Sequence, residues 1–337
     1  MVVSRSRRKD RNIPEQFRRT AVFAGITMNQ CEVSVIIVSY NTRELLRSSL
    51  LSLEAGLKGA GYEVWVVDNA SSDGSVDMVR EQFPGVNLIE NKDNLGFAKA
   101  NNQALRLMKG DFALLLNSDA MLEPGAGKLL LDFLKNTPRA GMVGPQLLDA
   151  ERRVRPSTYP LPGFWQEVIK AAKLYALLPA GLKAKLLLGS FFDHKTTVKA
   201  GRLTGACIMI PRTSINKTGL LCEDFFFYGE VHDWCWTMIE KGLEIWFYPS
   251  AAAVHLGGQS SRQKWDMVRS FLVTLEAHGR TLKRHKPLYQ VKLMYAVTLL
   301  GDLLSLAYRK LRGDGHDENE TARLEAEARW YSSELFG

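Results

Sequence analysis

The stretch at residues 112–121, FALLLNSDAM, decides the fold class of this chain. Its apolar run, Phe112–Leu116, stops abruptly at Asn117-Ser118-Asp119, and this length and boundary favour a buried strand over a helix. Polar side chains at the carboxyl end of such a strand lie at the rim of an open α/β sheet, where ligands bind. Asp119 is therefore a candidate metal ligand, with Asn117 orienting a ribose or phosphate. The alternative interpretation is a simple turn, since Asn, Ser and Asp all favour turns.

Three further strands are predicted before this one, at residues 33–38, 64–67 and 86–90, and helices separate them. Alternation of strands and helices at this spacing is typical of βαβ units and a mostly parallel sheet. The polar segments SYN, DNASSDG, NKDNLG and NSD each follow a strand, so we expect them to converge on one rim. The fold prediction is α/β, with a nucleotide-binding, mostly parallel sheet flanked by helices.

The chain has 337 residues with 46% hydrophobic and 24% charged residues, which is ordinary for a globular protein of one large or two modest domains. Much of its net charge of +8 lies near the N-terminus, where seven basic and two acidic residues occur among the first nineteen. We expect residues 1–30 to form a basic disordered arm, with contact to anionic lipid as the second interpretation. Nucleic acid is not expected as a partner, because no aromatic residues alternate with the basic ones.

The four cysteines show no C-x-x-C spacing, which indicates reduced thiols in a cytoplasmic protein. No apolar segment follows the basic start, so a signal peptide is not expected. The most apolar C-terminal run, at residues 288–308, is interrupted by Lys292 and Asp302, so a transmembrane span is not expected either.

The C-terminal part is predicted to consist of amphipathic helices. Within residues 288–311 one apolar stripe is formed by Leu293, Val297, Leu300, Leu304 and Leu311. Core packing or dimerisation is the first interpretation of this stripe, and contact with a membrane surface is the second. The domain prediction is a basic arm at 1–30, a catalytic domain at 31–262, a helical extension at 263–311, and a hinge with a short charged helix at 312–337.

Asp68 and His255 are candidates for chemistry besides Asp119. Asp68 ends the second strand, where a carboxylate accepts hydrogen bonds from a ribose or a base. His255 is a candidate second metal ligand for Mn or Mg, although a histidine beside a strand is more often structural. Neither G-x-G-x-x-G nor a phosphate-binding G-x-x-x-x-G-K occurs, which disfavours a dinucleotide or P-loop site.

Glu230 and Asp233 belong to an acidic cluster interleaved with aromatic residues. Their spacing of three places them on one helix face, and carboxylates among aromatic side chains can acquire the raised pKa of a general base. The alternative is a helix whose N-terminus favours acids and whose aromatic residues face a core.

Six ordered motifs give the chain a resemblance to a known family. VSVIIVSYN, VVDNASSDGS, NKDNLGFAKANNQAL, LLLNSD, the ED-FFFYGE-HDWCW block and VHLGGQSS resemble the family 2 glycosyltransferases with a GT-A fold, covering about residues 33–262. The chain looks most like the bacterial rhamnosyltransferase-type branch, which builds cell-surface polysaccharides. The resemblance implies a nucleotide-sugar site, with the following residues in nucleoside, loop and sugar contacts: Ser39, Tyr40, Asn41, Asp68, Asn94, Gly96, Asn101 and Asn117.

The resemblance also implies the metal and the base. Asp119 matches the last residue of the family's D-x-D motif, Asn117 replaces its first carboxylate, and His255 matches a histidine that completes the metal site. The family has an acidic pair where this chain has Glu230-Val231. Glu230 is therefore the first candidate for the catalytic base and Asp233 the second, and the departure at Val231 puts full activity in question.

The implied enzyme is an inverting, Mn- or Mg-dependent glycosyltransferase of the hexosyltransferase type. It would move a sugar, rhamnose being one candidate, from a dTDP- or UDP-sugar to a saccharide or lipid-linked acceptor in cell-surface polysaccharide synthesis. The expected location is cytoplasmic, including the inner face of the cell membrane, with peripheral membrane contact or a homodimer as further expectations. The alternatives are a catalytically impaired sugar-nucleotide-binding protein and a nucleotidyltransferase on the same half-sheet.

Overall fold

A computed structural model describes residues 31–226, 228–257, 267–312 and 318–336. The predicted disordered arm at 1–30 and residues 313–317 of the predicted hinge lie outside the described residues. The chain divides into two compact units. The first comprises Met1–Tyr159 and Asp193–Ser260, and the second comprises Pro160–Phe192 and Ser261–Gly337. Residues 160–192 thus group with the C-terminal helices, whereas the sequence prediction assigned them to the catalytic domain, whose boundaries stay a prediction.

The strands all belong to the first unit. They are β1 Val33–Ser39, β2 Tyr62–Asp68, β3 Asn87–Glu90, β4 Phe112–Leu116, β5 Ala120–Leu122, β6 Ala140–Leu148, β7 Val154–Arg155, β8 Thr158–Tyr159, β9 Val198–Ala200, β10 Arg202–Leu203, β11 Cys207–Pro211 and β12 Glu244–His255.

The helices are shared between the two units. They are α1 Arg43–Gly56, α2 Ser75–Gln82, α3 Phe97–Leu107, α4 Ala126–Lys135, α5 Phe164–Ala171, α6 Ala180–Leu187, α7 Arg212–Thr218, α8 Glu230–Glu240, α9 Met267–His285, α10 Leu288–Arg312 and α11 Glu318–Phe336.

The main sheet has the strand order β3-β2-β1-β4-β11-β6-β12-β5, with β7 beside β6 and β9 beside β12. The first four strands are parallel, and β6 and β12 form a further parallel pair. In β1 and β4 almost every side chain is buried, as expected for parallel strands covered on both faces. The predicted α/β fold with a mostly parallel sheet is confirmed, and the carboxyl ends of β1, β2 and β4 meet at one rim.

A change of strand direction brings the far end of the unit to this rim. Strand β5 follows the NSD turn immediately and pairs antiparallel with β12, so that Ala120 lies opposite His255. Strand β11 lies antiparallel to β4, with Cys207 opposite Leu116. The rim therefore collects the ends of the first four strands and the end of β12.

Asn41 and Glu44 have the sequence spacing of a capping box at the start of α1, but the structure differs from that pattern. Thr42 is the N-cap residue, and its side chain makes no capping hydrogen bond. Asn41 instead has a left-handed backbone with φ 53°. Its side-chain oxygen accepts a hydrogen bond from the main-chain N–H of Ser72, 2.8 Å away, so it bonds to the loop after β2 rather than to the helix.

In the second unit, the buried face of α10 is not the apolar stripe predicted from the sequence. Val291, Met294 and Tyr295 are buried, and the Tyr295 ring lies 5.3 Å from that of Trp330 on α11. The predicted apolar stripe faces outward: Leu300 is 59% and Leu311 87% exposed. These leucines do not pack in a core of this unit, which leaves the other interpretations of the stripe.

Among the described residues, one helical segment, Leu288–Leu311, is long and apolar enough to cross a membrane by length and composition. The expectation that the chain has no transmembrane span stays a prediction. A single such segment also occurs as a core helix in many proteins, and about a third of this one is buried.

Candidate active site

A chain of buried hydroxyl groups joins the end of β1 to the NSD turn. The Ser39 and Thr42 hydroxyl oxygens lie 3.2 Å apart, and Thr42 donates a hydrogen bond to the Ser118 hydroxyl at 2.8 Å. All three side chains are buried. Sequence reasoning selected Ser39 and missed Thr42 and Ser118, because nothing in the local pattern shows that the first and fourth strands are neighbours.

Asp68 is the last residue of β2, and one of its two carboxylate oxygens accepts a hydrogen bond within the described part of the chain. Its Oδ1 accepts a hydrogen bond from the Ser71 main-chain N–H at 2.8 Å. Its Oδ2 is buried and has no hydrogen-bond partner among the residues that the structure describes. Burial raises the pKa of this carboxyl above its ordinary value, and the hydrogen bonds from Ser71 oppose that rise. A ligand hydroxyl or N–H at the rim would complete its hydrogen bonding.

The SYN segment supports the loop that follows Asp68. The Asn41 main-chain N–H donates to the Ser71 hydroxyl at 2.9 Å, in addition to the contact of its side chain with Ser72. Tyr40 is half-buried beside it. Asn41 therefore shapes the rim next to Asp68, since the loop it holds carries the hydrogen bond to Asp68.

The loop after β3 is closed by amide side chains. Asn94 Oδ1 accepts from the Gly96 N–H at 3.0 Å, and the Asn69 amide donates to the Gly96 carbonyl at 3.1 Å. Gly96 has φ +82°, and a Cβ there would lie 2.3 Å from the Phe226 carbonyl oxygen. Only glycine fits this position. The loop is thus pressed directly against the segment that precedes α8.

The structure gives Asn101 and Asn102 different surroundings. The Asn101 amide donates to the Phe97 carbonyl within α3 at 2.9 Å, so that donor is used inside the helix. Asn102, which sequence reasoning did not select, donates to the Leu221 carbonyl at 2.8 Å and accepts from the Leu221 N–H at 3.1 Å. The assignment of Asn101 to the nucleotide site stays a prediction.

Asp119 and His255 meet at the rim although they are far apart in the sequence. The Asp119 Oδ1 lies 3.3 Å from the His255 Nε2, and both side chains are nearly buried. The antiparallel pairing of β5 with β12 positions them, and the Leu256 N–H also donates to the Asp119 carbonyl at 3.1 Å. Asn117 donates its main-chain N–H to the Ala206 carbonyl at 2.9 Å and is half-buried.

One carboxylate and one imidazole are suitable protein ligands for Mn or Mg when ligand oxygens supply the rest. In the described part of the chain no group of three or more Asp, Glu, His or Cys side chains is arranged to hold a metal. The residues present therefore fit a metal that shares its coordination with a bound diphosphate, and they do not form a closed protein cage.

Glu230 is the first residue of α8 and is buried. Burial raises the pKa of its carboxyl to about 7. Its Oε2 has no hydrogen-bond partner among the described residues. Tyr228 and Gly229 before it both have left-handed backbones, with φ 66° and 88°. Such strain in a residue other than glycine occurs preferentially at functional sites.

Two neighbours of Glu230 on α8 have different roles. Asp233 is buried, and its main-chain N–H donates to the Gly229 carbonyl at 2.8 Å. Val231 is buried against the main chain of Gly205, where an added Cβ would lie 2.7 Å from the Val231 Cγ2. A carboxylate at position 231 would be buried at this contact. The valine that replaces the family's acidic residue therefore packs against Gly205, and Glu230 is the acidic group that remains.

Comparison with known proteins agrees with this fold. The family model for glycosyl transferase family 2 matches residues 34–175. An N-acetylglucosaminyl-diphospho-decaprenol L-rhamnosyltransferase from Mycobacterium tuberculosis is 26% identical over 245 residues, covering 66% of this chain and 75% of the relative. An uncharacterised glycosyltransferase from Bacillus subtilis is 40% identical over 93 residues, covering 27% of this chain and 24% of the relative.

Among solved structures, that of GalNAc-T7 with UDP, GalNAc and Mn2+ aligns with a TM-score of 0.55 and 15% identity. The alignment covers 91% of this chain, which spans 57% of the length of that protein. This likeness defines the fold as that of a GT-A glycosyltransferase. The match to the glycosyl transferase family 2 model spans residues 34–175 of the chain, and an L-rhamnosyltransferase is among the relatives that the chain resembles.

Proposed function

We propose that this glycosyltransferase transfers a sugar from a nucleoside diphosphate sugar to a saccharide or lipid-linked acceptor with inversion at the anomeric carbon. The observation that carries the proposal is the Asp119–His255 pair, 3.3 Å apart, at the same rim as the available oxygen of Asp68. The pair suits the diphosphate end of a donor and Asp68 suits its nucleoside end. Rhamnose is the first candidate sugar, because the M. tuberculosis relative is named as an L-rhamnosyltransferase.

Mn or Mg is the proposed cofactor, held by Asp119 and His255 with Asn117 beside them. The crystal structure of GalNAc-T7 contains Mn2+, which supports this choice for a protein of the same fold. When bound, the metal would supply positive charge to the departing nucleoside diphosphate. Ser39, Tyr40, Asn41, Asn94, Gly96 and Asn101 are the proposed further contacts to the nucleotide sugar.

Glu230 is the proposed base that takes the proton from the acceptor hydroxyl, with Asp233 as the second candidate. Its pKa of about 7 is suitable, because a base is most effective when its pKa is close to the working pH. Transfer with inversion needs one displacement and no covalent intermediate, so a single base suffices.

The acceptor and the location follow from the relatives and from α10. The M. tuberculosis relative is named for an acceptor linked through diphosphate to decaprenol, which supports a lipid-linked acceptor and a role in cell-surface polysaccharide synthesis. The exposed leucines of α10 support a cytoplasmic protein bound peripherally to the inner face of the membrane. A homodimer through the same face is the second arrangement.

The experiment is a screen of dTDP-, UDP- and GDP-sugars for binding, for slow donor hydrolysis and for transfer to a prenyl-linked acceptor. We expect release of nucleoside diphosphate and a product with the opposite anomeric configuration by NMR. Retained configuration would contradict the inverting mechanism. Binding without hydrolysis or transfer would favour the catalytically impaired alternative that Val231 suggests.

A further inference from the structure

Two arginines contact the elements that carry the candidate site, one at His255 and the other at α8. Arg155 belongs to β7 and Arg202 to β10, and neither was selected from the sequence. Both belong to the first unit, as do Asp119, His255 and Glu230. Their surroundings differ from those of ordinary surface arginines.

Arg155 is hydrogen-bonded to one member of the Asp119–His255 pair. Its Nη1 donates a hydrogen bond to the main-chain carbonyl of His255 at 3.1 Å. Gly257 has φ +68°, and a Cβ there would lie 2.2 Å from Arg155 Nη1 and 3.0 Å from its Cζ. The guanidinium thus lies against a glycine that leaves it room. No carboxylate pairs with Arg155 in the part of the chain that the structure describes.

Arg202 is anchored at the other side, next to the base helix. Its Nη1 lies 3.1 Å from the Nδ1 of His232, which is two residues after Glu230 on α8. Strand β10 pairs antiparallel with β8, so Arg202 is directly opposite Tyr159. Its Cζ lies 5.1 Å above the centroid of the Tyr159 ring.

Tyr159 is influenced by the charges of both arginines. Burial raises the pKa of its phenol, while the electrostatic effects of Arg202 and then Arg155 oppose that rise. Two guanidinium groups beside one ring repel each other, and an anion between them would remove this repulsion. Planar guanidinium groups bind phosphate oxygens in pairs, which suits a diphosphate better than a single carboxylate.

We infer that Arg155 and Arg202 form a binding site for a diphosphate group. The inference rests on the proposed function in that it supplies the diphosphate. Two sources have this chemistry: the nucleoside diphosphate of the donor and the diphosphate of a lipid-linked acceptor. The position of Arg155 beside His255 is compatible with the first, and that of Arg202 beside α8 with the second.

The test measures binding by calorimetry in the presence of EDTA, so that no metal contributes. The probes are UDP and dTDP against UMP and dTMP, farnesyl diphosphate against farnesyl monophosphate, and inorganic pyrophosphate. We expect Arg155→Gln and Arg202→Gln each to weaken diphosphate binding about tenfold, because each removes a charge-assisted hydrogen bond, and to change monophosphate binding less than twofold. Arg153→Gln is the matched control, since Arg153 is exposed on the same hairpin and pairs with Asp149.

The pattern of loss identifies the source. Loss confined to UDP and dTDP assigns the pair to the donor, and loss confined to farnesyl diphosphate assigns it to the acceptor. Wild-type affinity of both variants for every diphosphate overturns the inference, as does a wild-type protein that binds none of them. A wild-type protein that binds pyrophosphate or farnesyl diphosphate but no nucleoside diphosphate, either in EDTA or with Mn or Mg added, contradicts the proposed function and still tests the arginines.

Folding is controlled in the same experiment. Arg155→Gln loses its bond to the His255 carbonyl, so the melting temperature without ligand is measured first. Should this variant unfold, Arg155→Lys and Arg202→Gln decide the matter. Lysine keeps the charge and loses the planar fork, so we expect an affinity between those of wild type and glutamine.

Discussion

Glu230 is a carboxyl group whose surroundings suit proton transfer near neutral pH. It is buried, its pKa is raised to about 7, and its Oε2 has no partner among the described residues. The left-handed Tyr228 and Gly229 place it at the start of α8, where its own main-chain N–H lowers the pKa slightly. A buried carboxyl of this kind stays protonated until the pH approaches 7 and can then act as a base.

Glu230→Gln should lower kcat about a hundredfold or more and leave nucleotide binding unchanged, because glutamine keeps the shape and cannot take a proton. In the wild type, kcat/KM should rise with pH through about 7, since the base must be ionised. Steady-state kinetics from pH 5.5 to 9 measure both effects. Glu240→Gln at the other end of α8 is the matched control. Full turnover in Glu230→Gln would assign the base to another residue, Asp233 first.

Asp119→Ala should remove most of the thermal stabilisation that nucleoside diphosphate with Mn or Mg gives. A ligand at 100 times its Kd stabilises a protein by about 2.7 kcal/mol, which is several degrees in melting temperature. Differential scanning fluorimetry with and without metal measures the shift. Asp111→Ala, in the residue just before β4 and thus at the opposite end of that strand, is the control. An undiminished metal-dependent shift in Asp119→Ala would refute its role as a ligand.

At the residue scale, the sequence predicted site residues at the ends of strands more reliably than it predicted contacts between loops. Asp68, Asp119 and His255 were selected because each follows an apolar strand or a recognisable motif. Thr42, Ser118 and Asn102 were missed because their partners come from segments 76 residues or more away. Arg155 and Arg202 were missed because short two-residue strands have no detectable apolar period.

At the scale of elements, α10 presents an apolar face that its own unit leaves uncovered. Tyr289, Leu300, Leu304 and Tyr308 are all more than half exposed, and Lys292 and Lys310 are also exposed. Apolar and aromatic side chains with lysines beside them are typical of helices that lie in the surface of an anionic membrane.

Leu300→Glu combined with Leu304→Glu should reduce binding to vesicles that contain phosphatidylglycerol at least tenfold, because burial of each leucine contributes about 1.5–3 kcal/mol. Sedimentation with vesicles measures the bound fraction, and vesicles of phosphatidylcholine alone should bind less. Leu107→Glu introduces the same charge at an exposed leucine of the first unit and serves as the control. A concentration-dependent doubling of mass that the double variant abolishes, with no vesicle binding, would assign the face to a homodimer.

The elements themselves were largely predictable. Strand β4 has the predicted bounds, and β1, β2 and β3 differ by one or two residues at an end, since buried strands have strong sequence patterns. The start of α1 could not be predicted, because the polar residues that favour a helix cap equally favour contacts with a neighbouring loop. The direction in which the α10 stripe points was not predictable either, since apolar periodicity defines a face and not what covers it.

At the scale of the whole molecule, two buried carboxyl groups should make stability depend on pH. The pKa of Glu230 in the first unit and that of Asp302 in the second are each raised to about 7, mainly by burial. The folded chain therefore holds protons between about pH 4 and 7 that the unfolded chain releases. Stability is favoured below this window and falls as the pH rises through 7.

The melting temperature of the wild type should accordingly fall from pH 5.5 to pH 8, and Asp302→Asn and Glu230→Gln should each flatten this slope. The amides do not ionise, so their contribution to the free energy of unfolding is the same at both pH values. Thermal unfolding in buffers of matched ionic strength measures the slopes. Asp77→Asn, an exposed carboxylate on α2, is the control. Equal slopes in all four proteins would mean that these carboxyls ionise normally in the folded chain.

The contact between Gly96 and Phe226 has a consequence for kinetic order. The Phe97 N–H donates to the Phe226 carbonyl at 3.2 Å, and Gly96 is packed against the same carbonyl, four residues before Glu230. The loop at Gly96 and the segment that precedes α8 are therefore in direct contact, and under the proposed function this contact joins the donor loop to the base. In the proposed reaction, a bound donor would therefore fix the position of Glu230 before the acceptor binds, so substrates should add in sequence, with the donor first and the nucleoside diphosphate leaving last.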